Sequence, residues 1–569
     1  MSLLRRAYHQ LTDPSSSPCH IVLEPLVETG TVHTRLFFLL SRVVDAFQGA
    51  GVAVPRWLDL AITVYAADGR ILHREDVTGH PLERLLVWES RDHLSRDVLP
   101  VQGTVSVEPT LYDARRNRVS EEILARVFGR EPAGIIDFSV DFYADDGFIT
   151  TTHSNVVVKQ PASAPRRALA RGLRKASQVP ALQSLRSSEW VRPGAVAAIH
   201  DDTFESALVQ YAWAEATKPR ELWAELRNEE GASLRAAIPP VAAHAAARFN
   251  VSDLFPGSRR FLGGRPGQLL VDRMSSLLVT NPRFYVQTTH VAGGGFGVDH
   301  AFLEYPSAPS FTSRETWQWM GKGYVSPFVV IDREDVRTEV ALFNHVDVAR
   351  PKAVGFLLYD LKGQLVAERR PVADLAPGGM RSIRVRDVLD DLGYRGEFFG
   401  HGEVFYCMDA ERYPDMLHHQ VLYVQRASVE GTQVGVALWN YPAGWDPRGA
   451  RDIQQLGVLP IVAPAYADER CTTSLGLTNC SHLWDYDVEA TVTLSLKVDD
   501  VVVGRAEITI PPHGTWLDSI ATLFPAEALL RGSGGKGLVV IKPENVRTLG
   551  AQFFHVQRRS RCFSSEHTL

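Results

Sequence analysis

Cysteine is scarce in this 569-residue sequence. There are five, Cys19, Cys407, Cys471, Cys480 and Cys562, odd in number and without CxxC spacing. That excludes a disulfide framework and a cysteine-rich zinc centre, and it fits a reducing compartment. A dominant charge is lacking too: 60 Lys and Arg stand against 66 Asp and Glu, a net −6. That balance is too mild for whole-chain attraction to nucleic acid or another polyanion. No apolar run approaches the roughly 18 residues that span a bilayer. The opening "MSLLRRAYHQLTDPSSSP" has no apolar core behind its arginines, so it does not read as a secretory signal. These absences predict a cytoplasmic protein with no transmembrane segment and no nucleic-acid partner. The sequons at Asn250 and Asn479 then read as chance matches.

Signature motifs are missing as well. The chain has no HExxH, no GxSxG elbow and no GxGxxG between a strand and a helix. "GSGGKG" (Gly532 to Gly537) lacks the leading Gly and the Ser/Thr of a phosphate-binding loop. It reads as a hairpin connection. "AGGGFG" (Ala292 to Gly297) joins two β-like runs and reads as a flexible turn.

Repetition is what the sequence does have. "YVQ" at Tyr285 returns at Tyr423, and "YP" at Tyr305 returns at Tyr441, offsets of 138 (423 − 285) and 136 (441 − 305) residues. The Val-Gln pair recurs at Val286-Gln287, Val424-Gln425 and Val556-Gln557, marking one late strand three times. Between these marks lie short runs of alternating apolar residues, broken at Lys362-Gly363, Pro377-Gly378-Gly379, Asp499-Asp500 and Pro512-His513-Gly514. Short helical turns are expected at "VRDVLDDLG" and "IATLFPAEALLR".

With 45% hydrophobic and 22% charged residues, the chain can bury several cores. The expected class is all-β: four tandem antiparallel β-sandwich domains of immunoglobulin-like kind, with a short helical linker. Their expected bounds are 18–160, 187–305, 324–441 and 459–569, with linkers at 161–186, 306–323 and 442–458. This plan is similar in outline to the immunoglobulin-like repeats of bacterial surface and scaffold proteins, an analogy of fold that carries no active residues. The 160–186 segment holds Arg166, Arg167, Arg171, Arg174, Lys175 and Arg186 and no acid. It reads as a solvated linker helix, with weak contact to an anionic surface as the rival reading.

Histidines are the chemical candidates. His153, His300 and His567 each follow a Phe near a closing strand, and Asp299 and Glu566 precede two of them. Imidazole and carboxylate suit Zn, Fe or Mn, but equivalent residues of a linear array would lie far apart. A three-histidine metal site therefore requires the units to close around a common centre. His290 and Asp299 join this stretch as ligand-binding candidates. Trp317, Trp319 and Tyr324 in "ETWQWMGKGY" form a candidate stacking platform for a sugar or base, or else an apolar anchor between units.

The sequence thus predicts a non-catalytic recognition or scaffold protein whose protein, small-molecule or glycan partner is unspecified, with no cofactor as the default. One alternative is an enzyme with an interdomain pocket of His, Asp and Glu groups, with or without Zn, Fe or Mn. A second is a carbohydrate-binding protein.

Overall fold

The computed structural model describes residues 19–128, 135–144, 149–153, 156–159, 192–193, 196–211, 222–239, 241, 245–271, 284–291, 296–300, 303–304, 325–343, 352–375, 379–406, 418–425, 435–439, 461–481, 484–499, 501–529, 534–546, 549–558 and 561–567. The linkers at 161–186, 306–323 and 442–458 lie outside them.

The chain is mostly β and falls into four successive sets of strands. Set one is β1 (Cys19–Glu28), β2 (Val32–Phe38), β3 (Trp57–Tyr65), β4 (Ile71–Pro81), β5 (Leu86–Glu89), β6 (Val101–Tyr112), β7 (Phe138–Ala144), β8 (Ile149–His153) and β9 (Val156–Lys159). A two-residue ladder, β10 (Arg192–Pro193) with β19 (Leu303–Glu304), brackets set two. That set is β11 (Val196–Ala198), β12 (Phe204–Tyr211), β13 (Leu222–Arg227), β14 (Ser233–Ile238), β15 (Ala246–Asn250), β16 (Gly267–Val271), β17 (Tyr285–His290) and β18 (Phe296–His300). Set three is β20 (Val325–Asp332), β21 (Val336–Phe343), β22 (Lys352–Asp360), β23 (Leu365–Leu375), β24 (Met380–Arg384), β25 (Phe398–Tyr406), β26 (His418–Gln425) and β27 (Gly435–Trp439). Set four is β28 (Ile461–Tyr466), β29 (Cys471–Thr478), β30 (Ala490–Val498), β31 (Val501–Ile510), β32 (Thr515–Ser519), β33 (Lys536–Pro543), β34 (Gly550–Gln557) and β35 (Phe563–His567).

Counting one to eight within each set, every set has the same two antiparallel sheets, in the orders 1-6-3-4 and 5-2-7-8. Among the described residues, β9 extends the first sheet of set one beside β1, and the β10–β19 ladder stands apart from the plan. Both sheets of a set contribute to one buried apolar cluster. In β30, Ala490, Val492, Leu494 and Leu496 are buried and alternate with half-buried polar residues, the pattern of a strand with one covered face. β7 is buried along all but its last residue, because a neighbouring set covers its second face.

A shared corner carries the chain from strand 1 to strand 2. Val27, Ile199, Ile331 and Tyr466 each donate their backbone N–H to a Ser or Thr hydroxyl seven residues on. The acceptors are Thr34 at 2.8 Å, Ser206 at 2.8 Å, Thr338 at 3.0 Å and Thr473 at 2.9 Å. Inside each corner a second bond recurs: Thr29 N–H to Val32 O, Asp201 to Phe204, Arg333 to Val336 and Asp468 to Cys471, at 2.9 to 3.1 Å. A backbone leaving one sheet for the other has buried groups to satisfy, and this corner satisfies them.

Helices fall at Val385–Asp391, Ile520–Leu523 and Ala526–Leu529, as the apolar spacing predicts. Others differ from the strand-only reading: Leu40–Gly49 and Glu121–Phe128 in set one, and the single turns Ser90–His93, Val251–Leu254 and Ser258–Leu262. In the first, Leu40, Val43 and Phe47 turn one apolar stripe inward. No helix among the described residues is long and apolar enough to cross a membrane.

The four sets close into a ring. Set one meets set two where the Tyr285 hydroxyl donates to Glu24 and Phe142 packs edge-on to Phe296, 5.6 Å between centroids. Sets two and three meet through Ile199 and Phe204 against Phe343, Leu422 and Val424. Sets three and four meet through Tyr423, edge-on to Phe554 and Phe563. Set four returns to set one through Tyr466 against Phe37, and Lys536 on Glu89 at 2.6 Å. At all four seams, residues of strand 1 or its corner face strand 7 of the next set. The eighth strands are innermost: β8 lies against β18 and β35, and β27 lies against the same two.

Candidate functional site

The recurring corner fixes a common register. Its Ser or Thr pairs with Phe142, Thr288, Tyr423 and His555 on the four seventh strands. Three residues back, Ser139, Tyr285, Gln420 and Gln552 pair with His153, His300, Trp439 and His567. The three predicted histidines thus share one register position, at the ends of the four strands that meet at the centre, and the third set carries Trp439 there. Aligning the two stretches by sequence on their YP ends puts Val436 opposite His300 instead. The ladder corrects this: Tyr423 corresponds to Thr288, so the echo is three residues out of step.

His300 and Asp299 are buried. The Asp299 carboxylate accepts the His300 N–H at 2.7 Å and an N–H from Gln420 of set three. Phe296 faces set one, so neighbouring residues of β18 serve opposite seams. His290 is half-buried at the end of β17 and stands edge-on to Phe204, 5.7 Å between centroids. The side chains of His153 and His567, and the residues Trp317, Trp319 and Tyr324, lie outside the described residues.

Buried ionisable groups concentrate at the seam of sets four and one. Arg35 Nε donates to Glu89 at 2.9 Å, and its guanidinium lies over the Tyr143 ring at 4.4 Å. Glu89 also accepts from Lys536 and the Tyr143 hydroxyl, each at 2.6 Å. Burial alone would raise Glu89, but Arg35 and these hydrogen bonds outweigh it and hold the carboxyl at about 2. Asp141 accepts the hydroxyls of Tyr466, Ser139 and Thr151, the last two at 2.9 and 2.7 Å. Burial pushes His555 down to about 4 and the Tyr466 hydroxyl and Cys471 thiol up. These groups are matched to one another across the seam.

At the seam of sets three and four, the Tyr359 ring is stacked between His401 and His513, with centroids 5.0 and 4.9 Å away. Glu403 lies 3.6 Å from His401 Nε2 and 3.8 Å from His513 Nδ1. His401 Nδ1 is 3.0 Å from the Thr515 hydroxyl of set four. In set two, His200 Nδ1 is 2.7 Å from the Ser258 hydroxyl. Asn479 is buried, its amide donating to the carbonyls of Val488, Ile510 and Pro511. It is therefore no glycan acceptor in this fold.

A cluster that the sequence did not disclose lies in set one. His73 and Glu75 stand two apart on β4, and His93 ends the short helix Ser90–His93. Their ligand atoms all lie within 4.8 Å of one another, the one such grouping among the described residues. The strand half of it was legible, since His-x-Glu on a strand puts both side chains on one face. His93, on the helix that follows β5 of the other sheet, was not.

No protein-family model matches this chain, and no curated protein matches it. At the seam of sets two and three, a cavity of about 50 Å³ is lined by Ile199, Asp201, Phe204, Arg337, Glu339 and Arg384, among others. It has room for a water or two and not for an organic substrate.

Proposed function

We propose that this chain is a non-catalytic recognition scaffold of the cytoplasm. In this reading it consists of four immunoglobulin-like β-sandwich domains, bounded at 18–160, 187–305, 324–441 and 459–569 and closed into a ring. Its polar seams hold the ring together, and its outer edge meets a protein partner. The observation that carries the reading is a recurrence on strand 4, the outermost strand of the 1-6-3-4 sheets. Ile71, Leu365 and Val501, the first residues of β4, β23 and β31, are 56%, 48% and 63% exposed. Single exposed apolar residues need no explanation. Three at the head of the same edge strand form a repeated apolar rim, and unpaired strand edges are ready sites for another chain. The buried free thiol of Cys471 suits a reducing compartment.

The test is crosslinking mass spectrometry from the rim, followed by an Ile71→Ser/Leu365→Ser/Val501→Ser variant. The proposal expects the crosslinked partner to be lost from the triple variant while its melting temperature stays that of the parent. A partner retained by the triple variant overturns the rim assignment. Turnover of any substrate that disappears with Asp299→Asn overturns the non-catalytic reading.

A further inference from the structure

The geometry points to a divalent-cation site of zinc type at His73, Glu75 and His93, distinct from the three axial histidines. The sequence supplies two borderline nitrogen donors and one carboxylate, a donor set that suits zinc. His73 and Glu75 pair with Val64 and Ile62 along β3, which fixes both on one face of β4. His93 is placed independently. Its ring is stacked on Trp88 at 5.1 Å and 9°. Its helix is tied down at Ser90, whose hydroxyl donates to Glu28 at 2.6 Å and accepts the Thr34 N–H at 2.9 Å. Strands β4 and β5 are free edges of the two different sheets of set one, so an ion here would clip those edges together.

Hydrogen bonding alone leaves the cluster incomplete. Glu75 Oε2 accepts from Trp88 Nε1 at 3.2 Å and lies 2.9 Å from His93 Nδ1. His73 Nε2 stands 3.6 Å from the same oxygen, beyond hydrogen-bond reach, and is buried with no hydrogen-bond partner. A tetrahedral ion with bonds of about 2.0 to 2.1 Å sets its ligand atoms roughly 3.3 to 3.4 Å apart. The two separations of 2.9 and 3.6 Å bracket that edge. An ion would give His73 Nε2 its missing partner, and Trp88 would orient the carboxylate as ligand-supporting hydrogen bonds do elsewhere. The three side chains are 27%, 31% and 26% exposed. An ion can therefore enter from solvent, and its fourth position is left to water or to a donor from another molecule.

The test uses the full chain, stripped with chelator and titrated with zinc chloride by calorimetry, with cobalt(II) as a spectroscopic substitute. The expected result is one zinc per chain, tetrahedral cobalt bands, and a melting temperature raised by zinc. His73→Ala and Glu75→Gln should each weaken binding about 100-fold or more, ligand loss exceeding the roughly 10- to 100-fold of a supporting residue. His300→Ala should leave it unchanged. Glu75→Gln keeps the side-chain shape, so lost binding with an unaltered circular dichroism spectrum separates ligand loss from misfolding. No binding by the parent chain overturns the site, as does stoichiometric binding by a His73→Ala/His93→Ala variant. Loss confined to His300→Ala moves the metal to the axis and overturns it as well.

Discussion

The Tyr466 hydroxyl donates to the carboxylate of Asp141, joining the first strand of set four to the seventh strand of set one. This bond lies where the ring closes, and Arg35 sits beside it with its guanidinium 5.2 Å from the Tyr466 ring. Tyr466→Phe keeps the packing and removes a buried bond to a charged group, so it should cost about 1.5–3 kcal/mol. Arg35→Met leaves Glu89 in a buried site without its closest guanidinium and should cost more, about 3–5 kcal/mol. Guanidinium denaturation of both variants checks this. Equal, near-zero shifts would mean that the seam adds nothing to stability.

Acid should weaken the same seam in two windows. His555 is buried and held at about 4, below its ordinary 6.5, so the unfolded chain takes up its proton first. Its stabilising effect is complete above pH 6.5 and is lost as pH falls toward 4, about 3 kcal/mol in all for 2.5 units at 1.36 kcal/mol each. Glu89, held at about 2 against an ordinary 4.5, adds a second loss between those values, again because the unfolded chain protonates first. Denaturation midpoints measured from pH 7.5 to 3.5 should fall through the first window in the parent chain. In His555→Gln that fall should be absent. A parent midpoint that stays level from pH 7 to 5 would refute the His555 assignment.

Strand 7 and the histidines closing strand 8 were legible in the sequence because each is a local pattern: Val-Gln in an apolar run, and a Phe followed by a His. The register between sets was not. Strand 7 is covered on both faces, so Tyr285 and Tyr423 suit it at positions three residues apart, and no alternation of polar with apolar residues betrays the slip. The corners escaped notice because a single Thr or Ser per set is invisible until the backbone it caps is known. Ring closure was hidden because seam residues such as Phe296, Phe563 and Tyr466 look like core residues. His93 joined His73 and Glu75 only when two sheets were packed, a contact that no local spacing encodes.

The corner makes a graded prediction. The Thr338 hydroxyl accepts the Ile331 N–H at 3.0 Å and donates to the Ile331 carbonyl at 2.7 Å. Thr338→Val keeps the shape and strands both backbone groups in a buried corner, at a cost of about 2–3 kcal/mol. Thr338→Ser retains the hydroxyl that Ser206 supplies in set two and should cost less than about 1 kcal/mol. Urea midpoints at constant slope would report the difference. Equal losses from the two substitutions would show that the methyl group, and not the bond, matters.

Strand 6 carries a glycine in every set where it runs beside strand 3, and the closeness of that approach ranks what a methyl group there would do. A Cβ on Gly400 would run into the Tyr359 carbonyl oxygen, and one on Gly103 into that of Tyr65, both far inside van der Waals contact with backbone. At Gly537 the nearest atom is the Lys497 carbonyl oxygen at 2.8 Å, a milder clash. None of the three has a positive φ, so sterics alone decide the outcome. Backbone cannot swing aside as a side chain does, and forcing the strands apart would also lengthen their ladder bonds. Gly400→Ala and Gly103→Ala should each cost at least the roughly 1–3 kcal/mol of overpacking, while Gly537→Ala should lie at the low end of that range. Thermal melts of the three variants give the order directly. Gly537→Ala proving the most damaging would contradict the close approach of strands 3 and 6 as the reason for glycine.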